Sequence, residues 1–132
     1  LLVTYNGASF DVPLLETRAR LAGLSLPVSA MEHLDVLHRV RRAYAGRWMD
    51  CRQQTAELNL LGHRRIDDIP GAEVPARWFD WMRRGNADGL VPVVEHNRLD
   101  LVGLARLLGP LAGTFADPGE CGARIVSTLR DR

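Results

Sequence analysis

The sequence contains no lysine; all 17 of its lysine-plus-arginine positions are arginine. Biased codon use in a GC-rich genome is the ordinary cause. A chain-wide bias cannot be credited to one site, although arginine does suit two-pronged contacts to phosphate. With 16 acidic residues the net charge is only +1, too small by itself to argue for a nucleic-acid partner. No apolar run approaches the roughly 20 residues needed to cross a bilayer, so no membrane partner is expected. Cysteine is scarce: Cys51 and Cys121 stand alone, with no C-x-x-C spacing and no clustered histidine, which speaks against a zinc site. Two isolated thiols fit a reducing cytoplasm, the compartment expected here. Internal repeats and low-complexity tracts are also absent. No initiator Met and no charged leader precede Leu1-Leu2-Val3-Thr4-Tyr5, so the start reads as neither a signal peptide nor a native terminus.

What is present is a chain of 132 residues, 46% hydrophobic and 25% charged, the balance of a soluble globular domain or part of one. Residues 1–5 are apolar and β-prone and run into the turn signal Asn6-Gly7, which predicts a short buried strand. A helix is expected from Asp11 or Val12, with Pro13 in its first turn and Gly23 as its stop. Met31 to Val36 reads as a second short strand leading into a helix through Leu37, Val40 and Tyr44. Thr55–Leu61 is a short helix ended by Gly62, and the turn-rich stretch 63–74 centres on Pro70-Gly71. Pro75 opens a helix carrying Trp78, Phe79 and Met82, closed by Gly85. The longest helix is expected from about Val91 to Leu108, with Gly109-Pro110 ending or kinking it. Residues 119–132 suggest one more helix. Many helices and one or two strands leave Leu1–Tyr5 without an evident partner, because so small a sheet is at best marginal. The expectation is that this strand pairs with upstream strands outside the sequence and shows an open edge.

Two segments carry chemistry. In Asn6-Gly7-Ala8-Ser9-Phe10-Asp11 a carboxylate follows the carboxyl end of a strand, where α/β folds place their ligands. Asp11 also suits a plain helix cap, and the two roles do not exclude each other. In Glu95-His96-Asn97-Arg98-Leu99-Asp100-Leu101, His96 and Asp100 are four apart and share a helix face with apolar neighbours. A carboxylate on such a face needs a metal ion or a paired cation to offset its desolvation. A surface His–Asp pair is the plain alternative.

Other residues invite weaker readings. Trp78, Phe79 and Trp81, flanked by Arg77, Arg83 and Arg84, have the composition of a base-stacking platform, but their spacing favours simple core packing. Asp35 precedes an arginine-rich helix and reads as its N-cap. His33, His38 and His63 lack ligand spacing and read as surface or satisfied core residues.

Taken together, N-x-x-x-F-D after a strand and E-H-N-x-x-D in an apolar helix resemble the DEDD exonuclease superfamily, and more closely the YprB-like ribonuclease H-like domains of bacteria. The middle of the chain resembles them too, in His33-Leu34-Asp35-Val36-Leu37-His38, Leu60-Leu61-Gly62 and Asp68-Ile69-Pro70-Gly71-Ala72-Glu73-Val74-Pro75. The resemblance implies an α/β ribonuclease H-like fold, truncated at its N-terminus and mostly helical in what remains. Residues 1–112 would be the exonuclease domain, and 113–132 a tail or helix leading toward a further domain. It further implies a metal-dependent nuclease, a 3′→5′ exonuclease cutting DNA or RNA with two Mg²⁺ or Mn²⁺ ions. Asp11 and Asp100 would be metal ligands and catalytic, converging on one site. His96 would orient or deprotonate the attacking water. The loop residues Asn6, Gly7 and Phe10 would touch the nucleic acid.

Two features depart from the superfamily pattern. Its first motif, Asp-x-Glu on a strand, is missing, so these 132 residues alone are expected to be inactive. The His96-to-Asp100 spacing is that usual for the superfamily's tyrosine branch. The rival reading is a non-catalytic nucleic-acid-binding or interaction module on the same fold. A third, a purely structural helical domain, leaves Asp11 as a cap and Asp100 as half of a surface pair.

Overall fold

The computed structural model describes residues 1–115, so the helix expected over 119–132 lies outside the described residues. The described chain forms two compact units, Leu1–Arg52 with Leu111–Phe115, and Gln53–Pro110.

In the first unit, strand β1 (Leu2–Thr4) pairs in parallel with β2 (His33–Asp35), Leu2 opposite His33 and Thr4 opposite Asp35. The expectation that β1 has no partner in this sequence is therefore corrected. A parallel partner needs a long crossover, and residues 5–32 supply one containing helix α1 (Asp11–Leu21) and a 3-10 turn at Val28–Ala30. Helix α1 stops where the sequence predicts. Gly23 takes φ +68°, the Gly23 N–H reaches the Arg20 carbonyl at 3.1 Å, and the Leu24 N–H reaches Ala19 at 2.8 Å. That pair of bonds satisfies carbonyls the helix would otherwise leave bare. Helix α1 buries none of its residues, and Leu14 and Leu15 remain half exposed. Helix α2 (Val36–Tyr44) buries Val36, Leu37 and Val40, and its N-cap is the expected Asp35, whose carboxylate accepts from the Leu37 N–H. The Thr4 hydroxyl lies 2.8 Å from His33 Nε2, so this histidine is satisfied locally.

The second unit is helical: α3 (Gln53–Leu61), α4 (Val74–Arg84) and α5 (Val91–Phe115), the last running on beyond the unit. Gly85, at φ +72°, closes α4 with its N–H on the Trp81 carbonyl at 2.8 Å. Two readings of this region are corrected. Helix α4 is not a core helix, since none of its residues is buried, and Trp78, Phe79 and Met82 are about half exposed. Of the two outcomes expected at Gly109-Pro110, an end or a kink, the end is overturned: helix α5 continues to Phe115 with Pro110 inside it. Proline removes one backbone bond there, and Leu107 and Leu111 to either side of it are fully buried.

Candidate active site

A charge inside the second unit organises its chemistry. Glu57 faces inward on α3 beside Ala56, and its side chain is 1% exposed. Such a carboxylate is tolerated only with a matched partner, and Arg65, itself 4% exposed, provides it. The Arg65 guanidinium donates from Nε to Glu57 Oε2 at 2.8 Å and from Nη2 to Oε1 at 2.6 Å, the two-pronged geometry that favours arginine over lysine. Its remaining nitrogen, Nη1, donates to Asp68 Oδ2 at 3.0 Å and to Asp100 Oδ1 at 2.7 Å. Burial of Arg65 favours losing its proton, but three carboxylate hydrogen bonds outweigh that and raise its pKa above the ordinary arginine value.

Two further devices hold this arrangement. Asp67 adopts φ +58°, a left-handed conformation that aspartate tolerates better than most residues, in the turn that carries Arg65 and Asp68 together. Gly103 of α5 lies against the Glu57 carboxylate, where any Cβ would overlap Oε1. Gln53 completes the support, donating from Nε2 to Glu57 Oε1 at 2.9 Å and to the Asp100 carbonyl at 2.7 Å.

His96 and Asp100 are brought together as their spacing predicts. His96 Nε2 lies 3.5 Å from Asp100 Oδ2, while Nδ1 lies 2.7 Å from Asp68 Oδ1. Asp68 is buried, which would push its carboxyl pKa up, but hydrogen bonds and charge from His96 and Arg65 hold it below the usual carboxylate range. Gly71, in the Pro70-Gly71 turn, passes beside the ring: a Cβ there would sit 3.7 Å from Nε2. The cation that Asp100 needs is thus Arg65. Asp100 is also more open than its apolar neighbours suggest, with a side chain 42% exposed.

The loop after β1, in the first unit, is held from below by Asp35. Its Oδ1 accepts the Asn6 N–H at 2.8 Å and its Oδ2 the Ala8 N–H at 3.0 Å, in addition to its cap bond. Asn6 takes φ +67°, and the N–H of the buried Gly7 reaches the Thr4 hydroxyl at 3.2 Å. Gly7 also has no room for a side chain, because a Cβ would overlap that of Thr4. Phe10 is the N-cap residue of α1 and is 62% exposed. Asp11 is the first helical residue, exposed, where its charge suits the helix N-terminus.

Glu57, Arg65 and Asp68 were not among the sequence-derived candidates. Asp68 lies in the Asp68-Ile69-Pro70-Gly71 segment that carried part of the resemblance, so a signal for it existed. Glu57 and Arg65 had none beyond a carboxylate at an inward helical position.

The residues present fit a divalent metal only in part. Asp100 is half exposed, and among the described residues its Oδ2 has His96 as its partner, at 3.5 Å, so it can serve as one ligand. Among the described residues no group of three or more His, Cys, Asp and Glu side chains forms a cage for a metal ion. No described helix is long and apolar enough to cross a membrane.

The chain is 36% identical over 107 residues to the uncharacterized protein YprB of Bacillus subtilis (strain 168). That match covers 80% of this chain but 26% of the relative, so the chain spans about a quarter of that protein's length. No solved structure matches significantly. A family model described as RNase H superfamily matches residues 1–112, which take in both the Asn6–Asp11 loop and the His96–Asp100 turn of α5. Over most of its length, then, this chain belongs to the RNase H superfamily.

Proposed function

We propose that this domain is the nuclease domain of a longer protein, a 3′→5′ exonuclease that hydrolyses phosphodiester bonds of DNA or RNA. The observation that carries the reading is the Asp100 carboxylate, fixed through one oxygen by a buried arginine and half exposed, with His96 beside it. In this reading Asp11 and Asp100 are metal ligands and His96 serves the attacking water. When bound, Mg²⁺ or Mn²⁺ would supply the charge that stabilises attacking and leaving oxygens. The remaining carboxylates would have to come from outside the described residues. Arg65 fixes the Asp100 rotamer, and Asp68 fixes the imidazole through Nδ1 so that Nε2 faces Asp100. A histidine oriented by a carboxylate is the usual arrangement for a base that must act in one direction. Asn6, Gly7 and Phe10 contact the nucleic acid, Phe10 offering an exposed ring for a base to stack on.

The full-length protein is tested on 5′-labelled and 3′-labelled single- and double-stranded DNA and RNA, with Mg²⁺ or Mn²⁺ and with chelator. The expected result is stepwise shortening from the 3′ end that chelator stops. A second reading, a nucleic-acid-binding module without chemistry, is favoured by one observation: Arg65 already neutralises Asp100. Binding of all substrates with hydrolysis of none, under either metal, would establish it and sink the nuclease.

A further inference from the structure

The second unit contains a cavity of about 180 Å³ that the nuclease reading does not use, several times the roughly 30 Å³ a single water takes up. Its inner lining includes Glu57, Arg65 and Gly103, and Leu61, Leu99 and Val102 are its half-buried apolar walls. His63, Arg98 and Arg106 line it from exposed positions. The cavity and the proposed active site are two sides of one side chain, since Arg65 lines the first and donates to Asp100 in the second.

We propose that this cavity is a subsite for one backbone phosphate of a nucleic-acid strand, held chiefly by Arg106. The charge balance selects the ligand. Within the lining, Arg65 is matched by Glu57 and spends its third nitrogen on Asp68 and Asp100 outside it, and Arg98 is matched by Glu95 through two bonds of 2.7 Å. Arg106 and the His63 ring have no hydrogen-bond or ion-pair partner among the described residues. The lining therefore presents one arginine without a partner among the described residues, with the His63 ring as a further hydrogen-bonding group. A phosphodiester carries a single negative charge and fits that surplus. Free inorganic phosphate carries more than one negative charge at neutral pH, and the buried Glu57 carboxylate repels the excess. The apolar walls suit a sugar ring and give inorganic phosphate nothing. Because Arg65 separates the cavity from Asp100, a strand seated here keeps a neighbouring phosphate beside the proposed active site.

The inference rests on the nuclease reading for its choice of strand, so its test measures binding alone. The full-length protein is titrated with a labelled single-stranded oligonucleotide in chelator, across a range of salt concentrations. Arg106→Gln is expected to weaken binding about tenfold, the loss of one hydrogen bond to a charged group. It should also flatten the slope of log affinity against log salt by about 0.7–1, one phosphate contact. Arg98→Gln should act in the same direction and more weakly, because Glu95 already claims its guanidinium. Arg52→Gln, an exposed arginine paired with Asp50 and absent from the cavity lining, should leave affinity unchanged. Wild-type affinity and salt slope in Arg106→Gln would overturn the proposal. So would inorganic phosphate competing as well as the oligonucleotide at equal concentration, which would make this a free-phosphate site. Arg106-dependent binding without cleavage would sink only the nuclease; cleavage with Arg106-independent binding would sink only the subsite.

Discussion

Arg65 is the residue on which the second unit depends most. Among the described residues it is the one cation paired with the nearly inaccessible Glu57, and it also meets Asp68 and Asp100. Breaking a buried pair leaves a charge with no compensation, which costs far more than the pair itself contributes. Arg65→Met should therefore destabilise the protein by about 3–5 kcal/mol in urea unfolding. Arg65→Lys keeps the charge but not the fork and should fall between the two. A Met variant with wild-type stability would mean the network is peripheral. The same network gives a pH dependence through Asp68. Its carboxyl is held below its ordinary value in the fold, so its contribution is complete above about pH 4, the unfolded carboxylate range. It is lost as pH falls further, through the depressed folded value. Urea midpoints should drop below about pH 4, and Asp68→Asn, although less stable at neutral pH, should show a shallower drop over that window.

At the scale of elements, α3 and α5 approach through the absence of a side chain. Gly103 leaves room for the Glu57 carboxylate, and Glu57 cannot yield because Arg65 and Gln53 hold both of its oxygens. Gly103→Ala should therefore destabilise the protein despite alanine's better helix propensity. Gly113→Ala on the same helix meets nothing within 4 Å and should stabilise it by about 0.5–1 kcal/mol. Opposite signs in thermal unfolding check the pair; equal signs would show that propensity alone decides. These elements also mark the limit of what the sequence revealed. Helix positions, the Gly23, Gly62 and Gly85 stops and the Asp35 cap followed from local rules, because caps and stops are decided within a few residues. The partner of β1 did not follow, since a three-residue parallel strand whose register is offset by 31 positions leaves no periodicity of its own. The α4 aromatics misled for a related reason: helical spacing of apolar residues predicts an amphipathic face but not what covers it. His96 and Asp100 were legible because both lie on one helix. Glu57, Arg65 and Asp68 come from a helix and a turn, and only folding brings them together.

At the scale of the whole molecule, the proposed chemistry separates from the scaffold in a graded series of variants. Asp100 has a structural bond to Arg65 and a proposed role as metal ligand, so Asp100→Asn must be judged on both. The amide oxygen can still accept from Arg65, whereas the charge a metal ligand needs is gone. In the full-length protein, Asp100→Asn and Asp11→Asn should each abolish Mg²⁺-dependent cleavage while oligonucleotide binding in chelator largely survives. His96→Ala should be milder, since a lost general base typically costs about 10²–10⁴-fold. Asp68→Asn should lower the cleavage rate with little change in binding, because the ring loses its orienting carboxylate but keeps its place. Single-turnover rates and binding isotherms, measured side by side, separate the two effects. If Asp100→Asn cleaves as fast as wild type, Asp100 is an anchor for Arg65 and nothing more, and the site must be sought elsewhere. If His96→Ala and Asp68→Asn fall by the same factor alone and together, the two act as one unit, as the 2.7 Å contact between them requires.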